Sequence, residues 1–161
     1  RAAYKLIEID EKFKIFRNGI SIIDLGAAPG SWSQYASKKI KNGKIVSIDL
    51  NDMEKIDNIV QIKGDFTEKK NQSKIKDLFK CKVDVVLSDM AASTTGHKST
   101  DHIRTQALAE LAALYAVDFL KKGGTFCAKV FQGGTHGDLL LELKKNFKTR
   151  WSYYSPSRIQ R

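Results

Sequence analysis

Short apolar segments alternate along this chain with segments of helical periodicity, and this alternation restricts the fold more than any other feature. Strands are predicted at 21–25, 44–49, 59–63, 83–88, 125–131 and 150–154. Helices are predicted at 31–40, 72–79, 101–120 and 136–146, and a further helix at about 2–13 precedes the first strand. Gly123 is expected to stop the longest helix. Several strands are continuous Val/Ile/Leu runs, which is typical of parallel strands covered on both faces. The sequence therefore predicts a doubly wound α/β sheet in a single domain over residues 1–161.

The charge balance points to a polyanionic partner. The chain has 161 residues, a formal net charge of +10 and a pI of about 9.6, which favours RNA or DNA as the partner. A basic surface without a specific partner is the alternative. No apolar run is long enough to span a bilayer, so no membrane partner is expected. The two cysteines, Cys81 and Cys127, lack CxxC spacing and are interpreted as reduced thiols of a cytoplasmic protein.

A glycine-containing turn follows the first predicted strand, in the stretch DLGAAPGSW at 24–32. Ligands of doubly wound sheets bind at the carboxyl ends of the strands, where this turn lies. The turn departs from the dinucleotide pattern G-x-G-x-x-G because Ala28 stands where the second glycine would admit a pyrophosphate. The turn therefore favours a nucleoside ligand without a diphosphate over a nicotinamide cofactor. A purely structural strand-to-helix turn is the alternative.

Acidic residues follow three further predicted strands. Asp49 ends the second strand, about 20 residues after Gly30, which is the usual spacing for an acid that binds ribose hydroxyls. Asp65 follows the third strand, where it could accept a bond from an adenine amino group while Phe66 covers the ring. Asp89 follows the fourth strand. Each acid alone could be an ordinary turn or cap residue, but together they predict a ligand site at one edge of the sheet.

Lys129 interrupts the apolar segment FCAKVF at 126–131. Burying an ammonium without a partner costs several kcal/mol. The simplest explanation is an edge strand with the lysine in water. The alternative is that Lys129 belongs to the same cleft as Asp89.

Seven stretches in this order resemble one family: RAAYKL, DLGAAPGSWSQ, GDF, LSDMA, DHIRTQ, AKVFQG and PSR. The chain resembles the FtsJ-like (RlmE/RrmJ) family of S-adenosylmethionine-dependent ribose 2′-O-methyltransferases. The resemblance implies a Rossmann-like class I methyltransferase sheet. It implies S-adenosylmethionine as cofactor, S-adenosylhomocysteine as product and no metal. Its cofactor residues would be Gly30, Trp32, Asp49, Asp65 and Asp89.

The resemblance also implies a catalytic set of Lys5, Asp89 and Lys129. The family's fourth member, a glutamate, is expected beyond Arg161 together with the last strand of the sheet. A hydroxyl must lose its proton as it attacks a methyl group, so a neutral base is needed. We expect Lys129 to be that base in a water-poor cleft, because burial and the like charge of Lys5 disfavour its protonation. Asp89 is expected to orient the amine.

The resemblance implies that the substrate is large-subunit (23S) ribosomal RNA, modified at a uridine in the assembled subunit by a monomeric enzyme. Transfer RNA or an mRNA cap as substrate, and a non-catalytic RNA-binding homologue, are the alternatives. Lys121 and Lys122, like Lys69 and Lys70, are interpreted as solvated ends of elements. The candidate RNA-binding cations lie around the first helix and at the end of the chain: Arg1, Lys12, Lys14, Arg17, Arg158 and Arg161.

Overall fold

A computed structural model describes residues 2–90, 95–130 and 137–147. Its centre is a five-stranded, entirely parallel sheet in the order β3-β2-β1-β4-β5. The first four strands have the predicted bounds. The strands are β1 Ser21–Leu25, β2 Lys44–Asp49, β3 Ile59–Lys63, β4 Val83–Ser88 and β5 Leu120–Ala128. The predicted α/β class with a parallel core is confirmed.

Helices connect these strands. They are α1 Ala2–Phe13, α2 Ser31–Lys39, α3 Lys69–Leu78, α4 Lys98–Phe119 and α5 Gly137–Asn146. Both α3 and α4 begin three residues before their predicted starts, because their first turns are polar and carry no apolar periodicity. In the described part of the chain, none of these helices combines the length and the apolar character needed to cross a membrane.

The fifth strand differs most from its prediction. It was expected at 125–131, but it begins at Leu120, directly after α4. Its pairing with β4 is irregular, since Val83 pairs with Leu120 whereas Val85 pairs with Thr125. Gly123 does not stop the helix. It lies inside the irregular segment with φ +79°, a conformation that glycine adopts without strain. The predicted strand at 150–154 lies outside the described residues.

Alternating side chains of the strands enter two separate cores. Ile23 and Leu25 of β1 pack on one face with residues of α3 and α4, including Ile75 and Tyr115. Ile22 packs on the other face, with side chains of α1 and α2. Burying an aliphatic side chain of this size stabilises the fold by about 1.5–3 kcal/mol. Cores on both faces hold the strand ends in fixed positions.

The strand order reverses beside β1. This strand pairs with β2 on one side and with β4 on the other, although two strands, β2 and β3, separate β1 from β4 in the chain. The connections from β1 and from β4 therefore leave the sheet in opposite directions. A crevice at the carboxyl ends of these strands is the usual ligand site of such sheets.

Candidate active site

The turn from β1 to α2 is held against the segment that follows β4. Gly26 has φ +68°, and a Cβ atom added there would collide with the Met90 side chain and lie 2.9 Å from the Met90 Cα. The Gly26 N–H donates to the Ile48 carbonyl at the end of β2, at 2.9 Å. Gly30, with φ +119°, is the N-cap of α2. The turn can pass this close only because it has no side chain at Gly26.

Asp49 ties the end of β2 to this turn. Its Oδ2 atom accepts a hydrogen bond from the Ala28 N–H at 3.0 Å. Its Oδ1 atom accepts one from the Asn51 N–H at 2.8 Å. A carboxylate has about four lone-pair sites, so two bonds leave acceptor capacity for a ligand hydroxyl. Asp49 therefore accepts backbone hydrogen bonds as an ordinary turn aspartate does, which was the alternative explanation for it. It also lies beside the glycine turn.

Asp65 lies at the end of the neighbouring strand. The Gly64 N–H before it donates to the Asp49 carbonyl at 2.9 Å. Its Oδ1 atom accepts from the Thr67 N–H at 2.9 Å and from the Thr67 hydroxyl at 2.7 Å. No group in the described part of the chain donates to its Oδ2 atom. Asp65 therefore retains one carboxylate oxygen for a ligand.

Two aromatic residues are core side chains. Phe66 is 6% exposed and packs edge-on against Tyr115, with ring centroids 5.7 Å apart. Phe66 is therefore a core side chain, and its contact with an adenine ring stays a prediction. Trp32 is 4% exposed and packs in the core formed with α1. The Trp32 indole is therefore a core side chain, and its contact with a cofactor stays a prediction.

Asp89 and Lys129 meet just past the ends of β4 and β5. The Asp89 N–H donates to the Leu25 carbonyl at 3.1 Å, and the Lys129 N–H donates to the Ser88 carbonyl at 2.8 Å. These bonds fix both backbones to the sheet. The side chains form an ion pair, with Nζ of Lys129 3.5 Å from Oδ1 of Asp89. The sheet thus brings together a base candidate and its carboxylate partner.

Burial raises the pKa of Asp89, and the positive charges of Lys129 and Lys5 oppose this rise. The effect of Lys5 shows that α1 brings this exposed residue near the same carboxylate. The next residue, Leu6, is fully buried and docks the helix. The structure therefore brings two of the three predicted catalytic residues, Asp89 and Lys129, into contact, while Lys5 acts on Asp89 through its charge. The side chain of Lys129 is 45% exposed, so the described residues alone do not form the water-poor cleft that we expected around it.

Asp24 is the site residue that sequence reasoning did not select. It is fully buried at the end of β1. Its Oδ2 atom accepts from the Ser33 hydroxyl at 2.5 Å, and the Ser33 oxygen lies 2.6 Å from that of Ser47. Its Oδ1 atom has no hydrogen-bond partner in the described structure. Its position in the stretch DLGAAPG was visible, but its burial was not.

The pKa of Asp24 is raised to about 7. Desolvation is the main cause, the bond from Ser33 opposes it, and the negative charges of Asp89 and Asp49 add to it. The side chains of Asp24, Asp49 and Asp89 therefore repel one another at the carboxyl ends of the strands, which we call the carboxyl edge of the sheet. A cationic ligand at this edge would relieve that repulsion. Among the described residues, no group of three or more His, Cys, Asp or Glu side chains is arranged to hold a metal ion.

Comparisons with known proteins agree with this arrangement. The model of the FtsJ-like methyltransferase family matches residues 1–160. The ribosomal RNA large subunit methyltransferase E of Pelagibacter ubique is 59% identical over 148 residues, which are 92% of this chain and 73% of that protein. The protein of the same name from Rickettsia akari is 50% identical over 163 aligned positions, covering 98% of this chain and 71% of its own length.

The chain also resembles a solved structure. A Plasmodium falciparum protein described as a ribosomal RNA methyltransferase superposes with a TM-score of 0.80 at 33% identity, covering 90% of this chain and 85% of that one. The family match spans nearly the whole chain, and the high identity to the bacterial relatives covers every strand of the sheet. The chain belongs to the FtsJ-like methyltransferase family.

Proposed function

We propose that this protein transfers a methyl group from S-adenosylmethionine to a ribose 2′-hydroxyl of large-subunit ribosomal RNA, at a uridine. The observation that carries the proposal is the Asp89–Lys129 ion pair, 3.5 Å across, beside the glycine turn at the point where the strand order reverses. Two bacterial relatives named for large-subunit ribosomal RNA support the substrate. The net charge of +10 suits an RNA partner.

The carboxyl edge has the chemistry that S-adenosylmethionine needs. When bound, this cofactor supplies a methyl group already activated on a sulfonium, and it carries a second positive charge on its amino group. Four carboxyl groups, those of Asp24, Asp49, Asp65 and Asp89, lie at or just past the ends of the strands at this edge, although the protein as a whole is strongly basic. The orphaned oxygen of Asp24 is consistent with a ligand at this edge.

Different residues would bind different parts of the cofactor. Asp49 would accept from the ribose hydroxyls, since both of its oxygens keep spare lone pairs beside the turn. Asp65 would accept from the adenine amino group through Oδ2. The backbone at Gly30 and Trp32 would line the nucleoside, and Asp89 would contact the methionine end.

The protein's own groups then have to remove a proton. Lys129 would accept the proton of the 2′-hydroxyl, which requires a neutral amine. Docked RNA would cover the exposed Lys129 side chain and exclude water, which favours the neutral form. The charge of Lys5 acts in the same direction. Asp89 opposes it by favouring the ammonium, so its proposed role is to orient the amine. Alignment of hydroxyl, methyl and sulfur would supply most of the rate.

The experiment that tests this function is transfer of a labelled methyl group to ribosomal subunits that lack the modification, compared with free transfer RNA. Nuclease mapping of the product locates the label and distinguishes a 2′-O-methyl from a base methyl group. The full-length protein is used, so that the test includes the glutamate that is expected beyond Arg161. Label at a uridine ribose of the large subunit is the expected result. Label in transfer RNA alone would overturn the proposed substrate, and no transfer to any RNA would favour a non-catalytic homologue.

A further inference from the structure

A cavity lies at the amino ends of the strands, opposite the candidate active site. It has a volume of about 240 Å³. One wall is the segment after α1, with Lys14 and Arg17, and the other is the irregular start of β5, with Lys121 and Lys122. Asp84, near the start of β4, lies between them. These segments lie at or before the starts of the regular parts of β1, β4 and β5. The cavity therefore opens at the amino ends of the strands, which we call the amino edge of the sheet.

The cavity is strongly basic. Four cationic side chains line it against the single carboxylate of Asp84. That carboxylate is already engaged, because it accepts from the Ser21 N–H at 2.8 Å and pairs with Lys121 at 3.5 Å. The side chains of Lys14, Arg17 and Lys122 make no ion pair or hydrogen bond with other described residues, and all three are exposed. Three uncompensated cations therefore surround one concave surface.

Backbone conformation brings these cations together. Lys14 has φ +54°, and its N–H donates to the Asp10 carbonyl at 2.7 Å, which ends α1. Glycine or asparagine is preferred at such a position, and another residue costs about 1–2 kcal/mol there. On the other wall, the irregular pairing around Gly123 places Lys121 and Lys122 beside the end of α1. Both lysines are exposed at the start of β5, as we predicted for ends of elements, and they also line this cavity.

We infer that this cavity binds a phosphate group of the RNA substrate, at a distance from the methylated nucleotide. The identity of the bound partner, ribosomal RNA, rests on the proposed function. Five residues of extended chain separate Asp84 in the cavity from Asp89 at the reaction site, which is about 17 Å at about 3.3 Å per residue. The bound phosphate therefore belongs to a different nucleotide from the one that is methylated. Such a contact positions the RNA and carries no sequence information.

Binding measurements on the full-length protein test the inference. The variant Lys14→Gln/Arg17→Gln/Lys122→Gln is compared with Lys74→Gln/Lys76→Gln/Lys80→Gln, which removes the same charge from exposed lysines in and just after α3. We expect the cavity variant to bind large-subunit ribosomal RNA at least about 10-fold more weakly than the control variant. The slope of log K against log salt should decrease in magnitude by about 0.7–0.9, the value for one phosphate contact.

Two further arms separate the possible failures. Both variants should retain the thermal shift by S-adenosylmethionine, which shows that the fold and the cofactor site are intact. Equal RNA affinity and equal salt slope in the two variants would overturn the inference and leave the proposed function standing. Inorganic phosphate is titrated separately, at constant ionic strength. If it binds the unaltered protein and not the cavity variant, while the two variants bind RNA equally, the cavity binds free phosphate. That result also overturns the inference. Failure of the unaltered protein to bind ribosomal RNA would overturn the inference together with the proposed substrate.

Discussion

Lys129 and Asp89 face each other across the carboxyl ends of β4 and β5, with Nζ 3.5 Å from Oδ1. Each backbone is hydrogen-bonded to the neighbouring strand, Asp89 to Leu25 and Lys129 to Ser88. The pair is therefore positioned by the sheet itself and not by a loose loop. This arrangement suits a site in which one group accepts a proton and the other orients it.

Replacing Asp89 should separate catalysis from stability. Asp89→Asn keeps the shape of the side chain but removes the charge that orients Lys129. Because burial raises the pKa of Asp89, its charged form is costly in the folded protein, and the variant should melt at the same or a higher temperature. We expect methyl transfer to fall at least about 100-fold. Near-normal turnover, measured with a labelled cofactor, would show that the pair is structural.

Gly26→Ala should damage the turn between β1 and α2. Gly19→Ala is a matched control, because Gly19 has a similar φ of +80° and open space around it, whereas a Cβ at Gly26 would collide with Met90. The control should lose about 1–2 kcal/mol for the left-handed backbone. Gly26→Ala should lose a further 1–3 kcal/mol or so for overpacking. Urea unfolding measures both, and equal losses would contradict the close approach of Met90.

Asp49→Ala should weaken cofactor binding. The substitution removes the acceptor for the Ala28 N–H and the proposed acceptor for the ribose hydroxyls. We expect the Kd for S-adenosylmethionine to rise at least about 10-fold, the equivalent of one or two hydrogen bonds. Asp52→Asn is the control, since Asp52 makes only an exposed ion pair with Lys63. Both variants are compared by calorimetric titration, and equal affinities would exclude Asp49 from the cofactor site.

Asp24 should make stability depend on pH. Its pKa is raised from 3.8 to about 7 in the folded protein. Between about pH 4 and 7 the folded state therefore holds a proton that the unfolded chain has released, so the free energy of unfolding falls as pH rises through this window. In Asp24→Asn this contribution disappears. Melting temperatures from pH 4 to 8 should fall less steeply in the variant than in the unaltered protein, and parallel curves would contradict the raised pKa.

Particular residues show how far the sequence predicts the structure. The first four strands were predictable, because their Val/Ile runs are bounded by glycine and polar residues. The start of β5 was not, since the segment at 120–124 is polar and glycine-rich and becomes a strand only through its pairing with β4. Asp49, Asp65 and Asp89 were predictable because each lies at or just past the end of a strand, whereas the buried Asp24 was not selected. The burial of Trp32 and Phe66 was not predictable, because it depends on packing against α1 and α4.

The basic cavity at the amino edge could not be predicted from the sequence either. Lys14 and Lys122 are far apart in the chain, and only the parallel order of the sheet brings their segments together. Each alone is an ordinary surface cation. Their shared position is a property of the tertiary structure.

The most direct test of the proposed chemistry is single-turnover methyl transfer by Lys129→Ala. The full-length variant, saturated with S-adenosylmethionine, is mixed with large-subunit particles that lack the modification, and Lys129→Arg serves as a control that retains charge but cannot act as a base. We expect both variants to lose methyl transfer by at least about 100-fold while their cofactor affinity stays within about threefold of the original. Transfer by Lys129→Ala at a rate close to that of the unaltered protein would contradict the assignment of Lys129 as the base.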